Sequence, residues 1–259
     1  MHIPSLKDIV SPEEWALRCD LAACYRLVAL YGWSDLVFTH ISAKLPESVS
    51  GDDHHFLINP YGLMFDEITA SSLIEVDVEG NILSDSEWAV NKAGFVVHSA
   101  IHLLREDAGC VMHLHTDDGV AVATLEDGLL PMNQLSIPIH SKIAYHEYEG
   151  PVVDEGERER MGAALGNRDY MLLRNHGTMT IGATVAEAFH CMYRLERACT
   201  WQVRTLSMGL PWHRPAEDVL QDMHENWGLR NANSAHYARN VVWPALLRKI
   251  ERTCPDYKD

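Results

Sequence analysis

The chain has 259 residues, 47% hydrophobic and 22% charged, a composition that suits one large globular domain or two small ones and excludes disorder. Lys plus Arg total 21 against 37 for Asp plus Glu, giving −16 at pH 7, and no basic stripe able to neutralise phosphates occurs, so neither nucleic acid nor an anionic membrane is an expected partner. The N-terminus MHIPSLKDIVSPEEW lacks the basic and apolar regions of a leader, and no run reaches about 18 apolar residues, so a soluble cytoplasmic protein is expected.

Ser11 is placed as the N-cap of a first helix with Pro12 at its first position and Glu14 completing a capping box; Leu17, Leu21, Cys24 and Val28 share one face, and Gly32 ends it. DLVFTHISAKL (35–45) reads as a strand, and HHFLINPYGLMF (54–65) as a second that breaks at Pro60-Tyr61-Gly62. IEVDVEGNIL (74–83) reads as two short strands about Glu79-Gly80. VNKAGFVVHSAIHLLRED (90–107) has helical spacing through Phe95, Val97, Ala100, Ile101 and Leu104. It leads into an apolar strand ending in His113-Leu114-His115, after which Thr116 caps a helix over DDGVAVATLE.

Beyond a loop around Pro131, SKIAYHEYEG (141–150) reads as a strand and Glu155 to Leu165 as a helix ended by Gly166. YMLLRNHGTMTIG (170–182) is a buried strand, a tight Asn175-His176-Gly177 turn and a second short strand. A capping box of Thr184 and Glu187 opens a long helix through Phe189, Met192, Leu195, Cys199 and Val203 to Gly209. No linker or repeat interrupts the chain to that point, so residues 1–210 form one mixed α/β domain. Residues 211–259 read as a helical extension packed on that domain or on a neighbouring subunit, where Trp212, Trp227 and Trp243 would find burial. The six cysteines form no C-x-x-C pair, as suits buried thiols in a reducing compartment rather than a zinc-thiolate site or disulfides.

The chemistry starts at CVMHLHTDDG. A strand sends alternate side chains to opposite faces, so His113 and His115 project together, with Val111 continuing their face. Two imidazoles alone are as consistent with a strand ending at the surface, because a divalent metal needs at least a third ligand. His176, in a turn at the end of an apolar strand, supplies it if a neighbouring strand brings it alongside; three histidines from two strands make a facial site with open positions.

From about Glu14 to about Met208 the chain resembles the class II aldolase/adducin family, through FTHIS, INPYG, EITASSL, VNKAGFVVHSAIH, the H-x-H strand, AYHEYEG and LRNHG, in order and with matching gaps. The adducin head and its free-standing bacterial relatives are the most similar members. The resemblance implies a three-layer αβα sandwich with a mixed, largely antiparallel central sheet, a homotetramer with sites at subunit interfaces, and a divalent metal on His113, His115 and His176. Zinc is the expected metal, with manganese or iron(II) as alternatives. Two departures stand out. Sugar-phosphate members carry an acidic residue 19 positions before the first histidine, where this chain has Gly94, and bind phosphate through an asparagine at the position of His40. Their catalytic tyrosine also has no counterpart in LLPMNQL.

A three-histidine metal with open positions can chelate a hydroxy- or keto-carboxylate and stabilise the carbanion left by C–C cleavage. The carbanion needs a proton, for which His146, whose imidazole can titrate near neutrality, and Tyr145 are the candidates. Lys92 and His40 are candidate substrate-binding residues, a solvated lysine being the plainer alternative for Lys92. His98 and His102, one helical turn apart, are expected to pack or hydrogen-bond. Three functions follow in order: a metal-dependent lyase acting on a small carboxylate by decarboxylation or retro-aldol cleavage, an iron(II) oxygenase, and a non-catalytic adducin-head-like module.

Overall fold

The computed structural model describes residues 3–51, 53–150, 155–230 and 233–259. Seven strands share one sheet: β1 (His40–Lys44), β2 (Phe56–Ile58), β3 (Ile74–Val76), β4 (Cys110–Leu114), β5 (Ile143–His146), β6 (Tyr170–Leu173) and β7 (Gly177–Gly182). Their order is β3-β2-β1-β4-β7-β6-β5, with every neighbouring pair antiparallel except β5 with β6. The expected mixed, largely antiparallel sheet is observed.

Period-two alternation in the central strand sorts the helices into layers. Cys110, Met112 and Leu114 of β4 join a core with α1 (Pro12–Leu30) and α7 (Val185–Ser207) on one side. Val111 faces the other way, into a core with Val97 and Ile101 of α3 (Lys92–Leu104) and Met161 and Leu165 of α6 (Glu155–Leu165). Two short helices, α2 (Glu47–Ser50) and α5 (Ser136–His140), and α4 (Asp117–Thr124) complete this part of the chain. Thus helices cover both faces of the sheet, and its inner strands are buried throughout.

The capping signals place the helix starts. Ser11, Asn91, Thr116 and Thr184 each accept a backbone N–H from three residues ahead. Glu14 does not close a capping box: its carboxylate takes Arg18 Nε at 2.7 Å, and both side chains are buried. Arg18 then donates to the carbonyls of Leu73 and Ala70, and Arg26 to that of Ile68. Two buried guanidiniums thereby satisfy the backbone of a loop that crosses α1, and hence α1 is buried on more than its apolar stripe.

Other expectations are revised. Only Ile74–Val76 of the 74–83 segment is a strand, with Ile82 making an isolated bridge to Val76. The segment after Pro131 holds α5 rather than loop alone, because Ser136 and Asn133 satisfy one another's backbone groups. The C-terminal residues form α8 (Glu217–Arg230), α9 (Ser234–Tyr237), a π-helical turn (Ala238–Val242), α10 (Trp243–Thr253) and a 3₁₀ turn (Pro255–Lys258). Trp243 is buried within its own chain, donating from Nε1 to Asp20 at 2.9 Å and packing on Phe189, so it needs no neighbouring subunit. Trp212 is half-buried under Arg214, and the side chain of Trp227 lies outside the described residues. Among the described residues no helix is long and apolar enough to cross a membrane.

One hydroxyl joins three elements beside the site. Tyr25 of α1, fully buried, donates to the Ile41 carbonyl at 2.5 Å and accepts from the Ile41 amide at 2.7 Å. It also lies 2.8 Å from the Asn59 side chain just beyond β2. Tyr25→Phe leaves these buried groups without their partner, and we expect a loss of about 1–3 kcal/mol in denaturant unfolding with the fold retained.

Candidate metal centre

His113 sits where two registers cross. It pairs with His40 of β1 on one side and with Met179 of β7 on the other, and His115, two residues along from it, directly follows the end of β4. His176 occupies the turn between β6 and β7, which closes tightly because Leu173 pairs with Gly177. Asn175 there takes a left-handed φ of 55°, a conformation that asparagine tolerates better than most residues. Gly177 has no substitute: a Cβ would stand 2.4 Å from the Leu114 carbonyl oxygen and 3.1 Å from the His115 ring. Each member of Asn-His-Gly thus has a separate task in bringing His176 beside the other two.

The three rings lie with every pair of centroids 4.8 Å apart, and nitrogens from all three fall within 4.8 Å of one another. His113 Nδ1 donates to the Thr178 carbonyl at 3.1 Å, and His115 Nδ1 donates to Asp35 Oδ2 at 3.1 Å. Those acceptors take the hydrogens on Nδ1 and turn the two Nε2 atoms toward each other, 3.0 Å apart, where they can share a proton or a metal ion. Two lone pairs at that distance repel unless a cation lies between them. Burial, then neighbouring imidazoles, holds His176 at about 4 and His113 well below its ordinary value, so both are neutral bases at pH 7. The residues therefore fit a divalent metal, with carboxylate and carbonyl partners orienting two of the ligands.

Beside the histidines lies a cavity of about 350 Å³, walled by Phe38, Val97, Met161, Leu173 and Met179 and opening past Glu147, Tyr148 and Glu149. His40 forms part of its wall and stacks on His98 of α3 with ring centroids 4.2 Å apart. Gly94 makes room for it, since a Cβ there would stand 2.2 Å from His40 Nε2. The departures at positions 40 and 94 are therefore one feature: an imidazole fills the volume into which a side chain on residue 94 would grow. His98 and His102 do not reach the cavity as ligands. His102 donates from Nδ1 to the Ala108 carbonyl at 2.7 Å and accepts from the Ser42 hydroxyl at 2.8 Å, and Ser42 accepts from His98 Nδ1 at 2.7 Å. Burial pushes His40 and His102 to about 4 and His98 well below its ordinary value, so the ladder is uncharged.

His146 of β5 also lines the cavity, with Nε2 4.0 Å from Glu149 Oε1. Tyr145, the next residue along the pleat, points to the opposite face, where its hydroxyl accepts from the Leu129 amide at 3.2 Å; it is not brought to the site. The Lys92 side chain lies outside the described residues. Sequence reasoning missed Asp35, which sits in a loop with left-handed φ values at Leu36 and Thr39, and it missed Glu147, Tyr148 and Glu149 at the mouth. AYHEYEG was legible as a motif, whereas nothing local marked Asp35.

The sequence matches the family described as Class II Aldolase and Adducin N-terminal domain over residues 19–203. It is 50% identical over 256 residues to a Caulobacter vibrioides protein provisionally named an aldolase class 2 protein, covering 98% of this chain and 96% of that one. It is 44% identical over 197 residues to Rattus norvegicus alpha-adducin, which spans 75% of this chain but 26% of the adducin. Among solved structures, an aldolase II superfamily protein from Pseudomonas syringae superposes with a TM-score of 0.87 at 43% identity, covering 98% of this chain and 99% of that one. An L-fuculose 1-phosphate aldolase from Glaciozyma antarctica PI12 superposes with a TM-score of 0.78 at 27% identity, covering 95% and 93%.

Replacing any one of His113, His115 or His176 by Ala is expected to cost zinc affinity by orders of magnitude with the circular dichroism spectrum retained. Asp35→Asn should weaken zinc by about 10–100-fold, because the second carboxylate oxygen is lost as acceptor but the ring is still held. A competition titration against a zinc-binding dye measures both; unchanged affinity in all three alanine variants would exclude the metal centre.

Proposed function

The chain belongs to the class II aldolase and adducin family, and from that premise we propose a metal-dependent lyase that cleaves a carbon–carbon bond of a small chelating hydroxy- or keto-carboxylate. The observation that carries this is the cluster of three imidazoles, with the Nε2 atoms of His113 and His115 3.0 Å apart and each ring of that pair held from behind through Nδ1. His113, His115 and His176 would hold the metal, zinc in first place and manganese or iron(II) as alternatives. When bound, such a metal supplies an electron-withdrawing centre for two substrate oxygens.

The remaining residues narrow the reaction. The buried wall at residue 94 presents a neutral imidazole instead of a carboxylate, and the carboxylates nearby, Glu147 and Glu149, are exposed at the mouth. Glu149 is further committed to Arg160. A reaction that begins by expelling CO₂ or a carbonyl fragment suits this arrangement better than one that begins by removing a proton from carbon. His146, buried in the wall, would return the proton, and His40 would hydrogen-bond the substrate. The apolar wall keeps bulk water from the cleaved bond.

Phosphate is poorly served. Arg174, the arginine of the described wall, turns its guanidinium away to the carbonyls of Leu125 and Glu126 and the Tyr145 ring. A phosphate dianion would meet neutral histidine and two carboxylates.

Protein purified without chelator should therefore carry a divalent metal and turn over members of a panel of hydroxyaromatic and 2-keto acids, equally under nitrogen and in air. His146→Ala should lower turnover by roughly 10²–10⁴-fold without loss of metal, and L-fuculose 1-phosphate and ribulose 5-phosphate should not be turned over. Product formed only with iron(II) and oxygen would replace the lyase by an oxygenase, and bound metal without turnover of any panel member would favour a non-catalytic module.

A further inference from the structure

Behind the histidines, on the far side of the sheet, α7 buries a carboxyl. Glu196 is 1% exposed on a helix face that otherwise carries Met192, Leu195 and Cys199. Its Oε2 accepts from the Thr116 hydroxyl at 2.5 Å and its Oε1 from the Thr178 hydroxyl at 2.7 Å. Thr116 follows His115 directly, and the Thr178 carbonyl is the group that orients His113. One side chain thus ties together, from the α7 face of the sheet, the two backbone segments that carry and orient the histidines.

A hydrophobic residue would fill this place at lower cost, because a buried carboxylate gives up its hydration and here gains two hydroxyls and no cation. Burial accordingly raises the Glu196 carboxyl to about 7, with the two threonine hydroxyls opposing the rise and Asp118 adding to it. The titratable groups that interact with it among the described residues are Asp118 of α4, which disfavours its charge, and Cys199 of α7, whose thiol is pushed up by burial and by Glu196 and so stays neutral. Among the described residues no cationic side chain compensates this charge.

We propose that Glu196 is a positioning residue of the metal centre: it fixes the His113 and His115 segments through Thr178 and Thr116, and its carboxylate supplies charge that favours a divalent cation across the sheet. This rests on the three-histidine metal reading and needs no statement about the substrate.

The two forms of the protein separate such a role from a structural one. In the metal-free protein the folded carboxyl lies above its unfolded value, so the folded state binds the extra proton and stability falls as pH rises from about 4.5 to about 7. Glu196→Gln removes that loss. With metal present the same charge is favourable, and by linkage the metal favours its ionisation.

Zinc alone serves as the probe, titrated against a competing dye at pH 6 and pH 8, with thermal melts of the metal-free proteins alongside. At pH 8 Glu196→Gln should bind zinc about tenfold more weakly than wild type, and the gap should narrow at pH 6, where the wild-type carboxyl is protonated. The metal-free variant should melt above metal-free wild type at pH 8. Equal zinc affinity at pH 8 would overturn the proposal, as would a variant that is less stable without metal or does not fold, since either marks a plain structural role. Wild-type protein that binds no zinc would remove the three-histidine centre and this role together.

Discussion

The register of β4 between β1 and β7 governs the site. Antiparallel pairing sets His40 opposite His113 on one side and brings the start of β7, and with it His176, against the end of β4 on the other. A slip of one residue in either pairing would turn His113 into the α1–α7 core and expose Met112 on the cavity side. The apolar alternation of Cys110, Met112 and Leu114 against Val111 and Val97 opposes that slip, so the hydrophobic core and the ligand geometry enforce one another.

Close approach at two glycines then sets what the site contains. At Gly177 the absence of a side chain admits the Leu114 carbonyl and the rings of His113 and His115; at Gly94 it admits the imidazole of His40. The first brings ligands together. The second lets an imidazole carried by a strand occupy the volume that a side chain on the helix would fill.

Buried polar groups surround this core in linked sets. The His102–Ser42–His98 ladder, the Tyr25 hydroxyl and the Glu196–threonine pair each join elements distant in sequence by hydrogen bonds, with His98 Nε2 left without a partner among the described residues. Such sets cost desolvation and restrict the structure to one arrangement, because a partial set would leave buried donors and acceptors unpaired. The C-terminal residues add to the same restraint, with Asp256 on Arg26 and the Tyr257 carbonyl accepting from Ala70.

What the sequence determined by itself was whatever depends on neighbours a few residues apart. Period-two alternation aligned His113 with His115, side-chain oxygens at Ser11, Thr116 and Thr184 marked three helix starts, and the Asn175-His176-Gly177 turn announced its conformation through residues that tolerate it. Tertiary structure alone decided the rest. Asp35 meets His115 and Glu196 meets Thr116 across 80 residues each, and no local pattern distinguishes those carboxylates from the many that are solvated. His146 stood ahead of Tyr145 as a candidate from its chemistry, but only the pleat of β5 sends Tyr145 to the α7 side and His146 to the cavity. The physical reason is the same in each case: backbone periodicity is a local property, whereas which groups share a buried space depends on strand order and register, set by the packing of the whole core.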